Sequence, residues 1–179
     1  MLRTTFVASL CIVALASSAW AQDDEQDFSR EGPYLGIDGM FVLENSAGRL
    51  HVSHTGGAGA RMGFRLTPEF AMEVMGDWAH LGGRNPWTLN TVVKLYPMAF
   101  ATETADTPLQ PFVTAGVGII SGRLGRSKDP AGSFRLGLGT DFWLTNDLAA
   151  TTSIAYLSNA GDAEWYDAIH FKLGVTWRY

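Results

Sequence analysis

The stretch that decides the fold is "KLGVTWRY", Lys172 to Tyr179. Leu173, Val175, Trp177 and Tyr179 are apolar, Lys172, Thr176 and Arg178 are polar, and Gly174 falls in the polar series. Successive side chains of a strand point to opposite faces, so unbroken alternation reads as a strand with two unlike sides. No polar turn follows it. A strand of this kind needs its free edge covered, and pairing the last strand of a sheet with the first removes both edges at once.

The same alternation recurs upstream between turn signals. Strand one is read at Tyr34–Glu44, strand two from about Thr55 to Leu66, strand three at Phe70–Leu81 and strand four at Thr88–Met98. After the interruption "AFATETADTPLQ", strand five is Pro111–Ser121, strand six Ser133–Leu144, strand seven Leu148–Ser158 and strand eight Ala168–Tyr179. Most approach the length of about 9–11 residues with which a tilted strand crosses a bilayer. Thr67-Pro68-Glu69 and Thr145-Asn146-Asp147 are tight turns at one end. The longer polar links "NSAGRLHVSH", "GGRNPW", "GRLGRSKDPAG" and "NAGDAEWYD" fall at the other. Short inner turns and long outer links are the asymmetry of a barrel in an outer membrane. "FRLTPEF" and "FWLTNDL" repeat one turn design: an apolar strand end, a threonine, a turn residue, an acid and an apolar restart.

Residues 1–21 read as a secretory signal peptide: a basic Arg3, an apolar stretch from Phe6 to Ala16, and Ala19-Trp20-Ala21 as the cleavage site. Residues 22–32 read as a flexible acidic leader, and 33–179 as the barrel. The one cysteine, Cys11, leaves with the signal, so no disulfide is expected. The signal carries one of the 13 basic residues and none of the 18 acids, which leaves a mature net charge of −6 and argues against nucleic acid as a partner. No mature stretch approaches the roughly 20 apolar residues of a spanning helix, so a membrane location requires a closed barrel.

The two residue series say which face meets lipid. One carries Leu35, Ile37, Met62, Phe64, Met72, Val74, Val93, Leu136 and Leu138 and is almost free of charge. The other carries glycines beside Asp38, Arg61, Arg65, Glu73, Asp77, Lys94, Arg135, Asp141, Lys172 and Arg178. Arg or Lys on a lipid face at the midplane costs about 2–4 kcal/mol. The charged series is therefore expected inside, as a network filling a lumen just wide enough for side chains. Arg61 and Arg65 are expected to face Glu73 and Asp77. Trp78 and Tyr156 near the outer ends, and Phe64, Phe70, Phe142, Trp177 and Tyr179 near the inner ends, read as two aromatic girdles. The fold class expected is all-β: an eight-stranded antiparallel up-and-down transmembrane barrel.

With "PYLGIDGMF", "GARMGFRLTPEFAMEV", "PFVTAGVGI" and "LGLGTDFWLTNDLA", the chain resembles the small OmpA/OmpX-type outer-membrane β-barrel superfamily over about Pro33 to Tyr179. The terminal strand resembles the assembly signal of such proteins, with Lys172, Gly174, Trp177 and Tyr179 at its marked places. The resemblance implies export to the outer membrane of a Gram-negative cell and delivery by the barrel-assembly machinery. It implies a monomer among lipid and lipopolysaccharide, with no cofactor and no metal. His51 and His54, read into the first outer link, lack a third ligand for a metal. No peptidoglycan-binding domain is expected.

Three functions fit. The first is a non-enzymatic barrel serving envelope integrity or surface interaction with an extracellular partner, in which Arg123, Arg126 and Lys128 of the third outer link are candidates for lipopolysaccharide phosphates. The second is a narrow pore bordered by Asn90, Thr114, Thr151 and Ser153. The third follows from "YLSNAG", Tyr156 to Gly161, which resembles the His-x-Ser-Asn-Ala-Gly stretch of PagL-type lipid A deacylases. That resemblance implies Ser158 as nucleophile, and Glu164 is a candidate to stand in for the acid, with no base for it to orient. Tyr156 stands at the family's histidine position, His170 falls on the lumen series, and a serine needs a positioned base.

Overall fold

The computed structural model describes residues 27–46, 49–80, 85–101, 107–121, 130–160 and 167–179. The expected signal peptide, most of the leader, Glu164, and Arg123, Arg126 and Lys128 lie outside the described residues, as do the side chains of 44–55 and of 160.

Eight strands run in order: β1 (Gly32–Ser46), β2 (Arg49–Arg65), β3 (Phe70–Ala79), β4 (Trp87–Leu95), β5 (Leu109–Ser121), β6 (Ala131–Trp143), β7 (Leu148–Ala160) and β8 (Asp167–Arg178). Each pairs antiparallel with its neighbour, and β1 pairs with β8 to close the barrel. The seam runs from Tyr34↔Arg178 to Asn45↔Asp167. "KLGVTWRY" is thus one side of the closure, and the backbone N–H of Tyr179 donates to the Pro33 carbonyl at 3.2 Å.

The period-two pattern sets the faces. Ile37 is 70% exposed and Leu173 69%, whereas Arg135 is only 2% exposed. Burial inverted in this way, with charge inside and aliphatic side chains outside, is stable only where lipid takes the place of water. Exposed aromatics gather near both rims. Phe64, Phe70, Phe142, Trp177 and Tyr179 lie toward the inner end, and Trp78, Trp87 and Tyr156 toward the outer. Trp177 stacks on Tyr179 at 5.4 Å between ring centres, and Phe100 meets Phe70 edge-on at 6.1 Å.

The two inner turns share one construction. The Thr67 hydroxyl accepts from the N–H groups of Glu69 (3.3 Å) and Phe70 (3.2 Å). The Thr145 hydroxyl accepts from those of Asp147 (3.3 Å) and Leu148 (3.1 Å). A threonine that satisfies two backbone donors locally favours a tight turn over further strand.

The structure corrects several boundaries. Strand four does not reach Met98: β4 stops at Leu95 and Pro97–Phe100 forms a 3₁₀ turn. Pro97 has no N–H to give a ladder and its φ suits the start of such a turn. The link "NSAGRLHVSH" is mostly strand, with Ser46 opposite Arg49 and a register shift between Val42 and Glu44. His51 and His54 therefore lie in β2 rather than in a loop. The end of the leader is not free: Phe28 is buried against Trp143 and Ala149. An aromatic ring in an acidic segment finds an apolar surface at the inner mouth.

Candidate functional site

The inward side chains fill the lumen in layers. At the outer end Met40, Val42, Ala79, Ile120, Leu157 and Ala168 form an apolar cap. Beneath it, Asp77 accepts from Arg135 Nη1 at 2.8 Å and pairs with Lys172. Asn90 and Ser133 bond each other at 3.0 Å in the same region. Arg61 pairs with Asp38 and donates to Thr176 Oγ1 at 2.6 Å.

The central layer turns on Lys94. Its ammonium lies 2.7 Å from Asp141 Oδ2 and 3.4 Å from Glu73 Oε1, and 3.8 Å from the centre of the Phe112 ring. Tyr34 donates to Glu73 at 2.8 Å, and Tyr96 and Thr151 donate to Asp141 at 2.9 and 2.7 Å. These groups share a low-dielectric space, where an ion pair costs desolvation and repays it only when its remaining valences are met. Tyr34, Tyr96 and Thr151 meet them.

Glycine makes the room. A Cβ at Gly36 would lie 2.6 Å from Arg61 Nε, and one at Gly174 would run into the Asp38 carboxylate and the Ile37 carbonyl.

The expected pairing of Arg61 and Arg65 with Glu73 and Asp77 does not form. The β2–β3 register sets Gly63 opposite Glu73 and Gly59 opposite Asp77, while Arg61 faces Met75. The arginines instead reach across: Arg61 to β1 and β8, and Arg65 to Gln110 Oε1 at 2.7 Å and to the Tyr96 ring at 4.1 Å. The tyrosines, Gln110, Trp143 and Phe28 were missing from the network as read from the sequence. The inward places of Tyr34 and Tyr96 were available from alternation, but Phe28 carries no such signal.

Of the residues proposed to border a pore, Asn90 is tied to Thr88 and Ser133, and Thr151 to Asp141 and Thr176. Thr114, Thr151 and Ser153 line a void of about 20 Å³ beside Lys94 and Arg135, and a second void of about 10 Å³ lies by Tyr34 and Arg178. Such spaces hold about one water each. Larger recesses, of about 390 and 480 Å³, lie on the lipid-facing wall by Met62 and Met72 and between Trp78 and Trp87.

Ser158 lies on β7 opposite Phe134, half-buried on the outer wall near the rim, with the Tyr156 hydroxyl interacting with it and with Asp167. Two histidines have described side chains. His80 bonds Asn85 at 2.7 Å, and His170 is buried in the lumen, its Nδ1 3.8 Å from Asp77. Neither serves Ser158. Among the described residues no group of three or more potential ligands could hold a metal.

Of the residues expected to mark an assembly signal, Lys172 is held inside by Asp77, Gly174 lies against Asp38, and Trp177 and Tyr179 face outward.

Comparison with curated proteins gives no match. Among solved structures the chain is similar to Neisserial surface protein A, NspA (TM-score 0.64, 14% identity, covering 83% of this chain and 97% of that one). It is similar also to the N-terminal β-barrel domain of Pseudomonas aeruginosa OprF (0.54, 16%, covering 84% and 100%) and to Ail, the attachment invasion locus protein of Yersinia pestis (0.55, 11%, covering 84% and 100%). At these identities the likeness is one of fold. The family model for the outer membrane protein β-barrel domain matches residues 7–179, so the chain belongs to that family and is a small eight-stranded barrel of the Gram-negative outer membrane.

Proposed function

We propose that this protein is a sealed, non-enzymatic barrel that acts at the cell surface, through its outer links and by its place in the envelope. The observation that carries this reading is the filled lumen. Among the described residues an apolar cap, paired charges and an aromatic inner mouth fill the lumen, and the voids beside Lys94 and by Tyr34 measure about 20 and 10 Å³, small against the continuous aqueous path that a solute would need. With the interior filled and no described histidine side chain serving Ser158, this reading places the chain's surface chemistry in the links between strands.

The partner we favour is polyanionic. Arg123, Arg126 and Lys128 fall within eleven residues of the third outer link, where lipopolysaccharide phosphates lie in reach of a barrel's outer rim. Ail, similar in fold, has a structure in complex with the heparin analogue sucrose octasulfate, a polyanion bound by that protein. In this reading the barrel is a monomer surrounded by lipid and lipopolysaccharide, delivered by the assembly machinery through its terminal strand.

The test is binding of labelled lipopolysaccharide to the refolded protein, with Arg123, Arg126 and Lys128 replaced together by alanine. The expected result is weaker binding by the triple variant and a steep fall of wild-type binding with salt. Equal, salt-insensitive binding by both proteins would remove the basic link from the account. Lipid A from expressing cells should keep all its acyl chains, and loss of one that is restored by Ser158→Ala would make the protein an enzyme.

A further inference from the structure

The charge of the lumen is unbalanced in one place. Among the described residues six cations and four carboxylates line it, and the ion pairs account for Arg61, Lys94, Arg135 and Lys172. Arg65 and Arg178, both at the inner mouth and almost wholly buried, have no carboxylate within ion-pair distance among the described residues. Their hydrogen bonds go to neutral oxygens. The Phe28 carbonyl accepts from both, at 3.1 Å from Arg65 Nη1 and 2.9 Å from Arg178 Nη2. The Arg30 carbonyl accepts from Arg178 Nη1 at 2.8 Å. Arg65 also reaches Gln110 and the Pro68 carbonyl, and its Nε has no partner among the described residues.

The two guanidiniums are held flat and aimed. Arg178 lies 3.8 Å over the Trp143 ring and Arg65 4.1 Å over Tyr96, and Trp143 Nε1 donates to Gln110 at 3.2 Å. Planar forks fixed on aromatic rings, converging on one oxygen, match the geometry in which arginines take carboxylate or phosphate. A backbone carbonyl is the weaker ligand for that place. The segment that supplies it is held by the Phe28 ring, by hydrogen bonds from the two arginines and by an exposed Arg30–Asp147 pair at 2.8 Å. At its end Gly32, with φ of 141°, swings the chain into β1.

We propose that Arg65 and Arg178 form an oxyanion-binding site at the inner mouth, for a carboxylate or phosphate group, and that the leader's Phe28 and Arg30 carbonyls occupy its seat in this structure. Anion and leader exclude each other, so an anion arriving from the periplasmic side releases the leader. The oxyanion comes either from a soluble molecule or from the phosphate of an inner-leaflet lipid.

The test uses the mature protein refolded in a non-ionic detergent, with Ser29→Cys carrying an environment-sensitive dye. The native cysteine lies in the expected signal, so the label is unique. Inorganic phosphate is titrated against chloride of equal ionic strength. The expected result is a saturable change in dye emission with phosphate alone, and faster trypsin cleavage after Arg30. Arg178→Gln should weaken the response by about tenfold or more, since it removes charged hydrogen bonds. A response absent with free phosphate but present with phosphatidylglycerol vesicles, and not with phosphatidylcholine vesicles, assigns the lipid headgroup. Because Arg178→Gln risks misfolding, a variant lacking residues 22–29 is the second arm. Its uncovered arginines should make phosphate raise its unfolding midpoint more than chloride does. If neither phosphate nor phosphatidylglycerol moves the dye, and phosphate gives the shortened variant no added stability, the two arginines only anchor the leader and the proposal is wrong.

Discussion

The ammonium of Lys94 lies 2.7 Å from Asp141 Oδ2, and each side chain is almost wholly removed from solvent. Lys94 comes from β4 and Asp141 from β6, so β5 lies between them in the wall and the contact exists only across the lumen. The pair ties β4 to β6 through the lumen.

Breaking that pair from one side leaves a buried charge without its partner. Lys94→Met and Asp141→Asn should each lower unfolding stability by about 3–5 kcal/mol, and the double variant should lose less than the sum. Urea titration followed by the mobility of unheated samples on gels measures this. Single variants that cost less than about 1 kcal/mol would place the pair with exposed surface bridges, contrary to the structure.

The β1–β8 seam allows glycine at 174 and little else. A Cβ there meets the Ile37 carbonyl, which is backbone and cannot swing aside, whereas a Cβ at Gly39 would lie 3.8 Å from the Leu173 carbonyl, an ordinary contact. Gly174→Val should therefore fail to give the fast-migrating folded band, and Gly39→Ala should give it in normal yield. Equal folding of the two would contradict the seam geometry.

The first inner turn carries a titration signature. The Thr67 hydroxyl donates to the Glu69 carboxylate at 2.7 Å and holds its carboxyl below the ordinary carboxylate value. A carboxyl lowered on folding adds stability above its ordinary pKa and loses it as pH falls through the lowered one. Thr67→Ala should move the Glu69 midpoint up toward the ordinary value in a carboxyl-carbon NMR titration. A midpoint unchanged by the substitution would mean that the hydroxyl is not its cause.

The faces of this barrel were legible because alternation is strict and charge is costly in lipid. Ile37, Met62 and Leu138 outside, and Asp38, Arg61 and Lys94 inside, follow from counting by twos. The partners inside were not legible. Alternation says which face a residue occupies but not how far neighbouring strands are offset. That offset puts Gly63, rather than Arg61 or Arg65, opposite Glu73. Nor did alternation reveal the end of β4, where Pro97 starts a 3₁₀ turn, or the seat of Phe28, a lone ring in a segment with no period. The two arginines of the inner mouth could be counted from the sequence. That both meet one carbonyl of the leader required the fold.

The central claim is that the lumen is closed. Single-channel recording on the purified protein in planar bilayers tests it most directly, with Lys94 and Arg65 both replaced by alanine as the opened comparison. The account predicts no steady conductance from the wild type and measurable conductance from the double variant, provided its unheated gel mobility shows it folded. Steady, reproducible conductance from the wild type would contradict the account and make the barrel a pore.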